Sequence, residues 1–191
     1  AGFTATHTGL SPVTRTINVT PSANGCTGNS VSYDITVNPV NRISTTLQNA
    51  SYCNGETVSA VTLNGSPSGV TFDVTGGASI GLADVTGVSE VPSFTATNLG
   101  SSPVVVTITV TPQANGCASV SQSYQITVNP TPTFNFSTTD VSCFGGNNGS
   151  INFNVLTGQA PFDYSRNGGT NYVNNQTSPY PMSSLTAGGY T

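Results

Sequence analysis

Along Val104–Val110, apolar and polar side chains alternate. Val104, Val106, Ile108 and Val110 take one parity, and Val105, Thr107 and Thr109 take the other. A period of two is the mark of a half-buried strand, with one face inward and threonines toward water. After the loop at 112–118, Tyr124, Ile126 and Val128 alternate with Gln125 and Thr127 in the same way. The two runs predict an antiparallel hairpin with Cys117 at its loop tip. Val13, Ile17 and Val19 against Tyr33, Ile35 and Val37 predict a second such hairpin. In it Arg15 stands where Val106 stands in the other, and its head is expected in solvent at the sheet rim.

Shorter strands are predicted at Thr57–Leu63, Val70–Thr75, Ser79–Val85 and Ser93–Thr97. Turn chemistry separates them: Asn64-Gly65, Pro67-Ser68-Gly69, Gly76-Gly77 and Leu99-Gly100. Farther on, Ile151, Phe153 and Val155 again show period two, behind the Gly/Asn turn at 145–150. No segment carries a helical period. Short strands at roughly 10-residue spacing describe an all-β sandwich.

The chain also repeats itself. Phe3–Pro39 returns as Phe94–Pro130 at a constant offset of 91 residues without a gap, and 25 of 37 aligned positions are identical. Solenoid units run at roughly 20–50 residues, so a period this long is that of a small domain. The repeat predicts three units. Residues 1–39 form the C-terminal part of one module, 40–130 a complete module, and 131–191 a third, of a different sequence type, whose last strand follows Thr191. Asn38-Pro39 and Asn129-Pro130-Thr131-Pro132 sit at the joins. Proline restricts both itself and the residue before it to extended conformations, so the joins are expected to be short and semi-rigid. The expected architecture is a rod of tandem Ig-like or PKD-like antiparallel β-sandwich modules.

Composition narrows the function. Thr, Ser and Asn supply 74 of 191 residues, lysine is absent, and charged residues make up 5%. Disorder of the low-hydrophobicity, high-charge kind does not fit 35% apolar residues, a net charge of −4 and regular alternation. Three scattered arginines, Arg15, Arg42 and Arg166, cannot supply the clustered cations that bind nucleic acid by counterion release. No stretch approaches the roughly 20 apolar residues of a membrane-spanning helix.

Candidate chemistry is thin. His7 is the only histidine, and its repeat equivalent is Asn98. Asp34, Asp73, Asp84, Asp140 and Asp163 stand singly, never in the alternating acidic pattern of a calcium loop. Asp34 becomes Gln125 in the second copy, against a shared site. The 145–150 run Gly-Gly-Asn-Asn-Gly-Ser lacks the lysine of a phosphate loop and reads as a hairpin turn. No catalytic, cofactor-binding or metal-binding residue is assigned. The absence of lysine also excludes Lys–Asn isopeptide cross-links. Tyr164, Tyr172 and Tyr180 form the one tyrosine cluster that could serve a carbohydrate-binding sandwich, with core packing the competing reading for Tyr164 and loop structure for the other two.

Each module carries one early and one late cysteine. Cys26 and Cys117 share an Ala-Asn-Gly-Cys loop, while Cys53 and Cys143 open the second and third modules. One bridge per module pairs Cys53 with Cys117, leaving Cys26 and Cys143 to partners outside residues 1–191. Free buried thiols are the alternative. Isolated cysteines without CxxC spacing or paired histidines make a poor zinc site.

The order Ser-Cys-Phe-Gly-Gly-Asn-Asn-Gly-Ser-Ile (142–151), Ala-Pro-Phe-Asp-Tyr-Ser (160–165) and Leu-Thr-Ala-Gly-Gly-Tyr-Thr (185–191) resembles the SprB-type repeat. That repeat belongs to very large cell-surface adhesins of gliding Bacteroidetes. Residues 1–130 resemble the PKD-like or Ig-like repeats that accompany it. The family pattern continues beyond Gly-Gly-Tyr-Thr with a strand and an Asn-Gly-Cys ending, which implies a partner for Cys143. Arg166 departs from the aromatic residue often found after Tyr-Ser. The resemblance implies secretion through the type IX system, display at the outer cell surface and a non-enzymatic role in gliding and attachment. The implied partners are neighbouring modules and surface glycans or substratum. The alternative is a passive stalk or carbohydrate-binding module of a secreted polysaccharide-degrading enzyme.

Overall fold

The computed structural model describes residues 2–190 except 115, 116 and 118. Strands dominate, and one short 3-10 turn at Ala78–Ile80 is the helical element among the described residues.

The two long alternating runs pair as the sequence predicts. Val104–Gln113 lies antiparallel to Gln122–Asn129, with Val104 opposite Val128 and Ile108 opposite Tyr124. They form the centre of a five-stranded sheet. Thr71–Thr75 adds antiparallel to the outer edge of Val104–Gln113, and Val85–Val88 pairs beyond it. Ala50–Cys53 adds to the outer edge of Gln122–Asn129, and it does so in parallel. Short pairs form the facing layer: Thr57–Val58 with Phe94–Thr95, Val61–Thr62 with Glu90–Val91, and Asn41–Ile43 between Ser119–Val120 and Gly65–Ser66.

Side chains from both layers meet in one core. Phe72, Val74, Ile108, Val110, Ile126 and Val128 come from the large sheet, and Ile43, Val58, Leu63, Val91 and Ala96 from the facing layer. The polar parity of the same strands faces water, where the Thr111 and Ser121 hydroxyls bond at 2.9 Å. The architecture is an all-β sandwich built largely from antiparallel pairs, with two parallel pairings that alternation cannot reveal.

Three predicted elements differ. Thr57–Leu63 is two short strands, Thr57–Val58 and Val61–Thr62, separated by Ser59 and Ala60 and joined to different partners. Ser79–Val85 is not a strand. It opens with the 3-10 turn, and Gly81 at φ 98° turns the chain so that Ile80 and Leu82 both enter the core. The exposed residue between them is a left-handed glycine, where an extended strand would place an outward-facing side chain.

The Cys53–Cys117 bridge is the third. Parallel pairing puts Cys53 beside Asn129, at the end of the sheet where the Gln122–Asn129 strand finishes. Cys117 lies past Gln113, at the other end, where its amide bonds Ala114 O at 3.2 Å and its carbonyl accepts from Asn41 Nδ2 at 3.4 Å. The eight-residue strand Gln122–Asn129 separates them, roughly 23 Å at about 3.3 Å per residue. A disulfide needs Cα atoms within about 7 Å, so these two cysteines do not bridge each other. Cys26, Cys53 and Cys143 are exposed.

The same register sets the course of the chain. Asn41, buried, donates to Ala114 O at 3.0 Å near the Cys117 end, while Asn129 leaves at the Cys53 end. The stretch 41–129 therefore enters its sandwich at one pole and leaves at the other. Near the exit, Asn98 fastens the loops. Its Nδ2 donates to Val128 O at 2.7 Å and Ser102 O at 2.9 Å, and its Oδ1 accepts from the Gly100 amide at 2.9 Å.

A second, smaller core follows. Thr133–Thr139, Gly149–Thr157 and Tyr180–Leu185 form an antiparallel three-stranded sheet, and Phe162–Ser165 pairs with Tyr172–Gln176 as a hairpin. Tyr164, Met182 and Leu185 are buried between them, with Ile151, Phe153 and Tyr180 packed around. The 145–150 run lies in the loop between the first two strands, with Gly145 at φ 76°, and ends where the second strand begins.

Candidate functional site

Alternation in Thr133–Thr139 puts Phe134 and Phe136 on one face, with Asn135 and Ser137 on the other. The phenylalanine face is the inner one, since Phe136 sits directly opposite Phe153 in the ladder. Yet Phe134 and Phe136 remain 56% and 63% exposed. Phe134 opens an aromatic ladder into the core. Phe134 meets Phe153 edge-on at 5.6 Å, Phe153 stacks on Tyr164 at 5.4 Å, and Tyr164 stacks on Tyr180 at 4.8 Å. Edge-on and offset contacts of this kind add about 0.5–1.5 kcal/mol each beyond area burial.

The exposed end of the ladder lines a groove of about 200 Å³ with Ile151, Arg166 and Tyr190. Arg166 is the groove's cation, on the turn after Ser165. Ser165 Oγ holds that turn by accepting the Gly169 amide at 2.8 Å and donating to Asn167 Oδ1 at 3.0 Å. Aromatic rings beside a guanidinium offer flat apolar contact and charged hydrogen-bond donors in one place. That chemistry suits the ring faces and hydroxyls of a sugar, or the apolar side of an extended peptide.

The tyrosines named from sequence divide differently. Tyr164 is core, as its competing reading had it. Tyr180 lies on a strand and stacks on Tyr164 rather than standing in a loop. Tyr172 is also on a strand, 56% exposed. They do not form one platform; the exposed aromatic side chains that line the groove are Phe134 and Phe136. The alternation Thr-Phe-Asn-Phe-Ser was visible in sequence, but its period alone reads as core.

The single carboxylates hold turns together. Asp84 accepts the Gly76 amide at 3.0 Å, Asp163 that of Asn175 at 2.8 Å, and Asp73 both the Gly87 amide at 3.1 Å and Gln113 Nε2 at 2.9 Å. Asp34 accepts from Thr16 Oγ1 at 2.6 Å. His7 Nε2 lies 2.5 Å from Ser11 O in an exposed loop. Among the described residues, no three His, Cys, Asp or Glu side chains gather closely enough to hold a metal ion. Burial, and after it the nearby Tyr52, pushes the Tyr124 hydroxyl above the usual tyrosine range.

The strand bearing Phe136, the Gly149–Thr157 strand and the Arg166 turn fall together in one known pattern. Residues 135–171 match the SprB repeat family. No curated protein matches the chain. Among solved structures, a three-Ig fragment of titin (domains I67–I69, an E-to-A variant) aligns at 14% identity with a TM-score of 0.45, covering 84% of this chain. The chain spans 63% of that titin fragment.

Proposed function

We propose that the chain is a non-enzymatic structural and adhesive segment of a secreted, surface-displayed filamentous adhesin that serves gliding and attachment. The SprB repeat at 135–171 is the observation that carries this reading, because such repeats are adhesin-type surface modules. Two structural facts support it. The 41–129 sandwich receives and releases the chain at opposite poles, which suits modules strung end to end, with 1–39, 40–130 and 131–191 as the units. Among the described residues, carboxylates are engaged in structural hydrogen bonds, Asp84 with the Gly76 amide and Asp34 with Thr16 Oγ1. Type IX secretion and the gliding machinery act, on this reading, through other parts of the parent protein.

Antibody labelling of this segment on living source cells, followed by time-lapse imaging, tests it. Label travelling along the cell surface is expected. Label that stays fixed or is shed into the medium would remove gliding from the proposal.

The groove of Phe134, Phe136 and Arg166 favours a second reading, a carbohydrate-binding module of a secreted polysaccharide-degrading enzyme. Retention on polysaccharide beads, lost in Phe136→Ala and Arg166→Ala, tests glycan binding at the groove, and a catalytic domain elsewhere in the parent polypeptide separates this reading from the first.

A further inference from the structure

The Val13–Val19/Val31–Val37 hairpin repeats the Val104–Gln113/Gln122–Asn129 hairpin in register as well as in sequence. Val13 pairs Val37, Ile17 pairs Tyr33 and Val19 pairs Val31. Displaced by 91 residues, these are the pairs Val104–Val128, Ile108–Tyr124 and Val110–Gln122. The outer faces also correspond. Thr14 bonds Thr36 at 2.8 Å, Thr16 bonds Asp34 at 2.6 Å and Thr20 bonds Ser30 at 2.6 Å, and Thr20–Ser30 is the counterpart of Thr111–Ser121.

The inner faces do not correspond. Ile108 and Val110 are fully buried and Tyr124 is 9% exposed, whereas Ile17, Val19 and Tyr33 are 37%, 52% and 52% exposed. What covers the later hairpin is the segment before it. Thr71–Thr75 pairs its Val104–Gln113 edge and Ala50–Cys53 its Gln122–Asn129 edge, while Ile43, Val58, Leu63, Ile80 and Val91 close the face. Among the described residues, the first hairpin is a sheet of two strands with neither outer edge paired.

We infer that the first hairpin is an acceptor surface for a half-module built like residues 40–93 and delivered from the same polypeptide. That segment adds one strand antiparallel to Val13–Val19 and one parallel to Val31–Val37, and lays an apolar layer over Ile17, Val19, Tyr33 and Ile35. Extended segments gain affinity from the ladder hydrogen bonds and specificity from the pockets they fill. The internal repeat identifies the occupant, since the same hairpin sequence, 91 residues on, is completed by such a segment in cis. A second copy of the chain pairing edge to edge is the competing occupant. Arg15, at the place of half-buried Val106, lies on the face to be covered, so the occupant has to leave its guanidinium a route to solvent.

The test appends residues 40–93 directly ahead of Phe3 in the full chain, which restores the repeat spacing. Amide hydrogen exchange is then compared with the unextended chain. Exchange in 13–19 and 31–37 is expected to slow by at least about 100-fold, as local opening gives way to a cooperative core. Phe72→Asp in the appended copy alone is expected to abolish that gain. The extended protein should also sediment as a monomer. Unchanged exchange in the hairpin overturns the inference. So does slow exchange already present in the unextended chain that disappears on dilution, which assigns the face to a second copy. Neither result bears on adhesion, so this inference and the proposed function stand or fall separately.

Discussion

Ile17 and Ile108 hold the same place in two hairpins 91 residues apart, each opposite a tyrosine, yet Ile17 is 37% exposed and Ile108 is fully buried. Equivalent positions of a repeated sequence therefore carry unequal energetic weight. Truncating a buried isoleucine removes its transfer free energy and leaves a cavity, about 2–5 kcal/mol in all. At an exposed position the change is of the order of 0.5 kcal/mol. Ile108→Ala should lower the urea midpoint of the transition of the large core substantially, with Ile17→Ala leaving it nearly unmoved. Tyrosine fluorescence of the two variants checks this, and equal shifts would refute the difference in burial.

Glycine at 76 is required for a second reason besides its φ of 98°. A Cβ there would lie 2.4 Å from Thr107 O, a backbone atom of the central strand. Gly87 also has a positive φ, 67°, but faces open space. Left-handed backbone costs a side chain roughly 1–2 kcal/mol, and forcing atoms into a packed site adds about 1–3 kcal/mol. Gly87→Ala should show only the first cost and Gly76→Ala both. Equilibrium unfolding of the two variants measures the gap.

Much of this fold was legible because one face of each long strand is buried. The threonine–valine alternation at 104–110 located the central hairpin, and its repeat located the first one. What the pattern could not show was pairing between distant segments. Ala50–Cys53 has four residues and joins in parallel, so its sequence carries no clear period, and with it the position of Cys53 was lost. Ile80 and Leu82 read as strand because a 3-10 turn and a left-handed glycine can bury two apolar side chains that also fit a period of two. For the groove, the Phe-Asn-Phe alternation gave the face of the strand but not its exposure, which depends on what lies across it.

The pole-to-pole separation of Cys53 and Cys117 has a chemical consequence. Non-reducing peptide mapping of the folded chain should yield no peptide joining the two, whatever else either sulfur contacts. Cys53 and Cys143, both exposed, should react with a maleimide under native conditions. Recovery of a Cys53–Cys117 peptide from monomeric native protein would mean that Ala50–Cys53 does not run parallel to Gln122–Asn129.

Tyr124 ties the large core to alkaline pH. Burial raises its folded-state pKa, with Tyr52 adding to the effect. An unfolded chain loses this proton near pH 10, so above that the unfolded state binds fewer protons than the folded one. Stability falls with rising pH wherever that holds. The contribution is therefore fully present below about pH 10 and is lost as pH climbs from there through the raised folded value. Tyr124→Phe removes the titrating hydroxyl while keeping the ring in the core, so its urea midpoint should decline less steeply than wild type above about pH 10 and run parallel to it at neutral pH. Parallel curves throughout would mean that the hydroxyl is as well solvated folded as unfolded, at odds with a ring packed behind Ile108 at the centre of the sheet.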